Sequence, residues 1–479
     1  MNLLDYEKLK VHTEKKNGRT VSVIIYEKKE EEYRILNKNF SDSQTTFLKK
    51  NKASGKTNTT FINFEDDDSI TVYASMGDLS TDLLQVKENA STTGASVLRN
   101  LMYLDEHLNI YIEVTEYQRE FVSGLVLAYY KYNFLNKDKK NINTISVLGS
   151  EEVNTYTAIY NGQNFVRFLG DTPSNLMTPT LFVEYAKKYC TDLKVEVFDK
   201  GFMEKKNMNL LLGVAQGSRQ DPKLIKISYK GKSTKEVDLS LVGKGITFDT
   251  GGISLKPSAN MAAMKGDMMG AATVLATIKL ASDMRLNINI EAVLPLTENM
   301  PGGVATKPGD VHIGMSGISV EIDNTDAEGR LILGDAISYA QESNPKYLLD
   351  IATLTGAISV ALGDNFIGYF SNDDKLAGLI YEASIESSDP AWRMPLSSLY
   401  LSSMKSNVAD LKNAGGRKGG SCTAAIFLNE FVNKDIKWTH FDIAGVDWDH
   451  RNKMLYGSGM TGKGLPLLYE VVKNLSEEK

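Results

Sequence analysis

Two short β-rich runs, Thr20 to Tyr26 (TVSVIIY) and Thr144 to Leu148 (TISVL), are bounded by polar residues and predict strands. Between them, Arg119 to Leu135 has the apolar spacing and length of a helix. The charges crowded into Glu27 to Tyr33 predict a loop or an exposed face. Ser150 stands where it can N-cap a mostly polar helix over Glu151 to Leu169, which runs into Gly170-Asp171-Thr172-Pro173. A helix of that length, stopped by Gly and Pro, suits a connection between domains. The expected organisation is an N-terminal α/β domain over residues 1–150, a linker helix over 151–170 and a larger domain over 171–479.

Beyond the linker the pattern alternates. Val237 to Phe248, Ile288 to Leu296, Tyr347 to Ala352 and Thr439 to Ile443 predict strands. Ala271 to Ser282, Leu331 to Glu342 and Thr423 to Val432 predict the intervening helices. The expected fold class is α/β in two domains, the larger with a central mixed sheet flanked by helices. In open sheets of this kind ligands bind beyond the carboxyl ends of the strands. The sequence shows no internal repeat and no low-complexity segment.

Composition narrows the function classes. With 479 residues, 42% of them hydrophobic, the chain can bury a large core. A net charge of −6 and a pI near 5.6 give no overall basic footprint, so nucleic acid is not an expected partner. The Lys49–Lys52 and Lys137–Lys140 clusters read as solvated loops. Cys190 and Cys422 are too few and too far apart for a disulfide framework and suit a reducing compartment. Met1 to Glu7 lacks the features of a signal peptide, and no stretch reaches the roughly 18 apolar residues of a membrane span. A cytoplasmic protein without a membrane partner is expected.

The chemistry concentrates in three places. Leu241-Val242-Gly243-Lys244-Gly245-Ile246-Thr247-Phe248-Asp249-Thr250-Gly251-Gly252 is a buried-looking strand that runs into an acid and a Gly pair, where backbone can approach a ligand closely. Lys256 follows, then Met264-Lys265-Gly266-Asp267 ahead of an Ala-rich helix. A second acidic knot lies at Asn324-Thr325-Asp326-Ala327-Glu328-Gly329-Arg330. Extended backbone there would point Asp326 and Glu328 to one side. Such carboxylates can bridge two divalent cations about 3.5–4 Å apart, a geometry that activates water. Acids beside glycine are also turn formers and helix caps, and spacing alone leaves that alternative open.

Taken together, VGKGITFDTGG (242–252), MKGDM (264–268) and NTDAEGRL (324–331) resemble the leucyl (cytosol) aminopeptidase family of dinuclear metallopeptidases. ENMPGG (298–303), DIATLTGA (350–357) and FDIAGV (441–446) extend the similarity over the chain beyond about residue 165. The resemblance implies two divalent metal ions per subunit, with Mn or Zn expected. Asp249, Asp326 and Glu328 would hold one, and Lys244, Asp249, Asp267 and Glu328 the other. A lysine ligates only as the neutral amine, so Lys244 would need a strongly lowered pKa, which burial and nearby dications favour. Lys256 would be the catalytic electrophile that polarises the scissile carbonyl. Arg330, also catalytic, would hold a bicarbonate ion that serves as general base; its plainer role is a salt bridge to the acidic knot.

Met264, Thr353, Leu354, Gly356 and Ala444 would line the pocket for the first side chain, suited to Leu and other apolar residues. Asp447 would favour basic first residues if it faced that pocket, and a surface position fits equally. The implied substrates are peptides with a free N-terminus, and the implied assembly is a homohexamer.

Other chemistries lack their residues. His12, His107, His312, His440 and His450 show no zincin spacing, and no strict G-x-S-x-G elbow is present. Gly243-Lys244-Gly245 lacks the rest of a phosphate-binding loop, and Cys422 reads as a buried structural cysteine. Two-metal phosphoryl transfer and a non-catalytic, DNA-binding role are the rivals from other classes. The acidic balance weighs against the second.

Overall fold

The computed structural model describes residues 11–478 apart from 67, 105, 115, 134, 137–143 and 449–450. Met1 to Glu7, the Lys137–Lys140 cluster and His450 therefore lie outside the described residues. The chain divides into two compact units, Met1–Phe165 with Arg451–Ser458, and Val166–His450 with Gly459–Lys479.

The first unit is built on β1 (Arg19–Lys29), β2 (Glu32–Ile35), β3 (Thr60–Phe64), β4 (Ser69–Ser75), β5 (Leu108–Tyr111) and β6 (Ile145–Leu148). They form one sheet in the order β3-β4-β1-β5-β6, with β2 on β1. The two-residue period of β1 divides its apolar run between faces. Val21, Val23 and Ile25 enter the main core of this unit, whereas Ile24 and Tyr26 enter a smaller one with Leu48, Ala53 and Tyr73. The charged run Glu27 to Tyr33 is not a loop throughout. β1 continues through Lys29 and turns back into β2, pairing Tyr26 with Ile35 and Lys29 with Glu32, so the charges decorate a hairpin. The helix expected over Arg119 to Leu135 spans Gln118–Tyr129 and ends where Tyr130 turns extended.

The second unit contains β7 (Lys194–Phe198), β8 (Lys223–Lys230), β9 (Leu239–Gly243), β10 (Gly245–Asp249) and β11 (Asn289–Asn299). It continues through β12 (Val311–Ile313), β13 (Ser319–Glu321), β14 (Tyr347–Ala352), β15 (Ile367–Ser371), β16 (Ala391–Arg393), β17 (Leu411–Lys412) and β18 (Lys437–Asp442). Nine of these make a mixed sheet, β16-β15-β18-β14-β9-β11-β8-β7 with β10 on β11, while β12, β13 and β17 form a small sheet. The helices Met269–Asp283 and Gly329–Ala340, both largely buried, pack on the large sheet. Leu331, Ile332 and Leu333 share a core with Val242, Val293, Leu348 and Trp438 of its strands.

β9 is parallel to β11 and β14, and β14 to β18. Their carboxyl ends therefore gather at one edge, and the residues there are Lys244, Asn299, Thr353 and Asp442. The strand expected over Val237 to Phe248 is two strands, interrupted at Lys244. At the break, the Lys244 amide donates to the Ile351 carbonyl (3.1 Å), and its own carbonyl accepts from the Ala271 amide (2.8 Å) at the start of the Met269–Asp283 helix. The interruption turns the lysine side chain into the acidic cluster. No helix among the described residues is long and apolar enough to cross a membrane.

Candidate metal centre

Each acid of the cluster arrives from a different turn beyond that edge. Asp249 ends β10, Asp267 follows the short 3-10 helix Met261–Gly266, and Glu328 precedes the Gly329–Ala340 helix. Asp326 and Glu328 do not reach the cluster by extended alternation. Residues 325 and 326 form a turn and Glu328 is already helical (φ −79, ψ −36), so helix initiation aims its carboxylate. One ligand atom from each of Asp249, Asp326 and Glu328 lies within 4.8 Å of the others.

Two lysines thread these acids. Lys244 Nζ lies 2.8 Å from Asp267 Oδ1 and 2.9 Å from Glu328 Oε1, and donates to the Thr353 carbonyl at 2.8 Å. Lys256 Nζ lies 2.8 Å from Asp249 Oδ2 and also pairs with Asp326. The packing leaves no spare room. A Cβ on Gly329 would sit 2.7 Å from the Lys244 Cε and Nζ, and one on Gly251 (φ +88) would sit 2.8 Å from Asp326 Oδ1.

Burial raises the carboxyls of Asp249, Asp267 and Asp326 above their usual range, and mutual repulsion adds to the rise. The lowered Lys244 pKa that the resemblance implies is that of a lysine beside dications; carboxylates alone act in the other direction. Burial opposes its charge, but Asp267, Glu328 and Asp249 outweigh that effect and hold the ammonium above its ordinary range. The expectation counted neighbouring dications; with carboxylates as the charged neighbours, the lysine is their counter-ion.

The donor chemistry fits a pair of divalent cations. Asp267 Oδ2 and Glu328 Oε2 are buried with no hydrogen-bond partner, although an ionised oxygen in that setting requires a donor or a cation. Arg330 does not form the salt bridge that was its plainer reading. It is buried, its Nε has no hydrogen-bond partner, and burial brings its guanidinium down to about 10.

Of the five residues expected at the first side-chain pocket, Leu354 and Ala444 are brought together by a group the sequence reading passed over. The buried Asp442 carboxylate accepts from the amides of Leu354 (3.1 Å), Thr355 (3.3 Å) and Ala444 (3.2 Å), and from the Thr355 hydroxyl (2.6 Å). Thr353 is buried beside the cluster, donating its hydroxyl to Asp267 Oδ1 at 2.6 Å. Gly356 is exposed, with open space where a side chain would be. Met264 lies on the Met261–Gly266 turn, its carbonyl accepting from the Asp267 amide. Asp447 is half-buried; burial pushes its carboxyl up to about 7, with the Asp442 charge adding to the rise and Lys244 opposing it.

Asn299 was also passed over. Its side-chain amide donates to Asp249 Oδ1 (2.8 Å) and to the Thr325 carbonyl (3.0 Å), tying that carboxylate to the second acidic knot. It falls inside the ENMPGG segment, but a lone Asn at a strand end carries no pattern that marks it as an orienting residue.

Comparison with known proteins accords with this geometry. Residues 164–469 match the family model described as "Cytosol aminopeptidase family, catalytic domain". The chain is 53% identical to the cytosol aminopeptidase of Encephalitozoon cuniculi, with 99% of both chains covered. It is 49% identical to a probable cytosol aminopeptidase of Paraburkholderia phymatum over 65% of this chain and 61% of that one. Among solved structures, the bottromycin maturation enzyme BotP in complex with Mn superposes with a TM-score of 0.84 at 26% identity, covering 96% of this chain and all of that one. A tomato leucine aminopeptidase variant superposes with a TM-score of 0.82, also at 26% identity, covering 97% and 96%. The match over most of the chain places it, and the chain belongs to the cytosol aminopeptidase family as a metal-dependent aminopeptidase.

Proposed function

We propose that the enzyme releases the first residue, preferably Leu or another apolar residue, from peptides with a free α-amine. Asp249, Asp326 and Glu328 would hold one divalent ion, and Lys244, Asp249, Asp267 and Glu328 the other; Zn, Mn, Co and Mg are all compatible with this set, with Mn or Zn expected from the family. When bound, the pair supplies Lewis-acid activation of water and a clamp on the transition state. Lys256 brings a positive charge toward the developing oxyanion. Bicarbonate, when held by Arg330, supplies a general base. Thr353, Leu354, Gly356, Ala444 and Met264 receive the first side chain.

The observation that carries this reading is the pair of buried, unpartnered oxygens on Asp267 and Glu328 beside two lysines. All these residues lie in the second unit, which supports placing the catalytic machinery within the proposed domain 171–479, with 1–150 a separate domain and 151–170 the connection, although Arg451–Ser458 group with the first unit. A cytoplasmic address is part of the same proposal, in keeping with two free, buried cysteines. A homohexamer rests on the family alone.

The test compares a free Leu-peptide with its N-acetylated twin, using chelator-stripped protein before and after Mn or Zn is restored. Metal-dependent release of Leu from the free peptide alone is expected. Release from neither peptide under any metal would overturn the proposal.

A further inference from the structure

Asp442 ends β18, paired with Ala352 at the end of β14. One more bond follows, from the Ile443 amide to the Ala352 carbonyl (2.9 Å), and there the two strands part. The chain leaves β14 through Thr353-Leu354-Thr355-Gly356 and β18 through Ile443-Ala444-Gly445-Val446. These two turns carry Thr353, Leu354, Gly356 and Ala444, all proposed above to receive the first side chain.

The Asp442 carboxylate holds both turns at once. Its Oδ1 accepts from the amides of Leu354, Thr355 and Ala444, and its Oδ2 from the Thr355 hydroxyl. That hydroxyl in turn accepts from the Ile358 amide (3.2 Å) and caps the helix Gly356–Leu362. The helix leans back on the second turn, its Ser359 hydroxyl donating to the Ala444 carbonyl (3.4 Å). At its start the first turn is fastened to the acidic cluster. The Thr353 carbonyl accepts from Lys244, and the Thr353 hydroxyl donates to Asp267.

Asp442 is 1% exposed, and both its oxygens are taken by donors of the chain itself, so it has no access to substrate. Its reach is geometric. Thr353 keeps one end of the first turn at the metal centre, and Asp442 sets where the other end stands. On the aminopeptidase reading above, we infer that Asp442 is a positioning residue for first-residue selectivity, fixing the side-chain pocket relative to the metal centre through Thr355.

Asp442→Asn breaks this arrangement at one bond. The amide oxygen can keep the three backbone donors, but the NH2 group then faces the Thr355 hydroxyl, which loses its acceptor. Thr355→Val removes the same bond from the other side, and Thr355→Ser keeps it. The measurement is kcat and KM for Leu-Gly-Gly and Ala-Gly-Gly on metal-reconstituted enzyme, with bound metal counted by mass spectrometry. The ratio of kcat/KM for the Leu-peptide to that for the Ala-peptide should fall about tenfold in Asp442→Asn and in Thr355→Val, as for one charge-assisted hydrogen bond. The fall should lie mainly in KM for the Leu-peptide, with metal content unchanged. Thr355→Ser should keep the wild-type ratio, and the double variant should lose no more than Thr355→Val alone. If Asp442→Asn does not fold, the two Thr355 variants carry the test. An equal loss on both peptides, a loss of metal, or a Thr355→Ser that behaves like Thr355→Val would overturn the inference. A wild type that cuts neither peptide, or that favours Ala, would instead remove the reading on which it rests.

Discussion

Lys244 and Lys256 each sit between two carboxylates, yet the chain holds them in different ways. The Lys244 side chain is 3% exposed and that of Lys256 22%. Lys244 stands at the break between β9 and β10, with its backbone bonded to both Ile351 and Ala271, and its ammonium meets Asp267, Glu328 and the Thr353 carbonyl. Three donors with three fixed acceptors leave it nothing to offer a substrate. Lys256 rides on the loop after Gly251-Gly252, held by its amide to the Thr250 carbonyl (2.9 Å), with a side chain that reaches solvent. The difference teaches that residue type does not assign a role here. Backbone anchoring and access do, and they separate a lysine built into the cluster from one able to meet a ligand.

The largest expected effect removes what both lysines share. Glu328→Ala and Asp249→Ala each strip a carboxylate from the proposed bridge between the two ions. Activity should fall by more than the roughly 10–100-fold that losing an outer partner costs, with metal content by mass spectrometry falling alongside. Near wild-type turnover in Glu328→Ala would dissolve the comparison altogether.

Next, Lys244→Met and Lys256→Met should part company. Both should slow hydrolysis, Lys256→Met by about 10²–10³-fold, as for removal of an oxyanion donor. Only the Lys244 variant should also lose bound metal at equilibrium dialysis; equal metal loss in both would make the lysines equivalent. A smaller effect is expected from Asn299→Ala, about 10–100-fold in metal affinity or turnover, because it loosens Asp249 on the Lys256 side without removing a ligand.

The smallest effect concerns a carboxyl with no lysine at all. Asp335 is fully buried on the Gly329–Ala340 helix and accepts from the amides of Leu211 (3.0 Å) and Met315 (2.8 Å), yet burial pushes it up to about 7. Between its unfolded value of about 4 and that native value, the folded chain holds the extra proton, so stability falls as pH rises through this window and levels off above it. Asp335→Asn cannot ionise and should appear more destabilised at pH 5 than at pH 8, by on the order of 1 kcal/mol in urea unfolding. An equal penalty at both pH values would show that burial alone does not raise this group.

Much of this was legible in the sequence because the signals were local. Tyr347 to Ala352 is a strand end to end, and the helices Met269–Asp283 and Gly329–Ala340 lie within two residues of their apolar patterns. The four acids and Lys244 stood out because three short motifs carry them, with Lys256 between the first two. What escaped depends on contacts between distant segments. The break at Lys244 is made by Ile351 and Ala271, the grouping of Leu354 with Ala444 by Asp442, and the orientation of Asp249 by Asn299. Over Glu27 to Tyr33 the exposed face was legible and the hairpin was not, because the pairing of β1 with β2 decides it.

Gly329 sets the clearance of the whole centre. With the Lys244 chain 2.7 Å from where a methyl group would stand, the first residue of a helix doubles as the wall against which a lysine is fitted. Tolerance to change at this position is therefore governed by steric fit rather than helix preference. An alanine that would ordinarily strengthen a helix acts here as a wedge, disturbing the cluster without altering any of its charges.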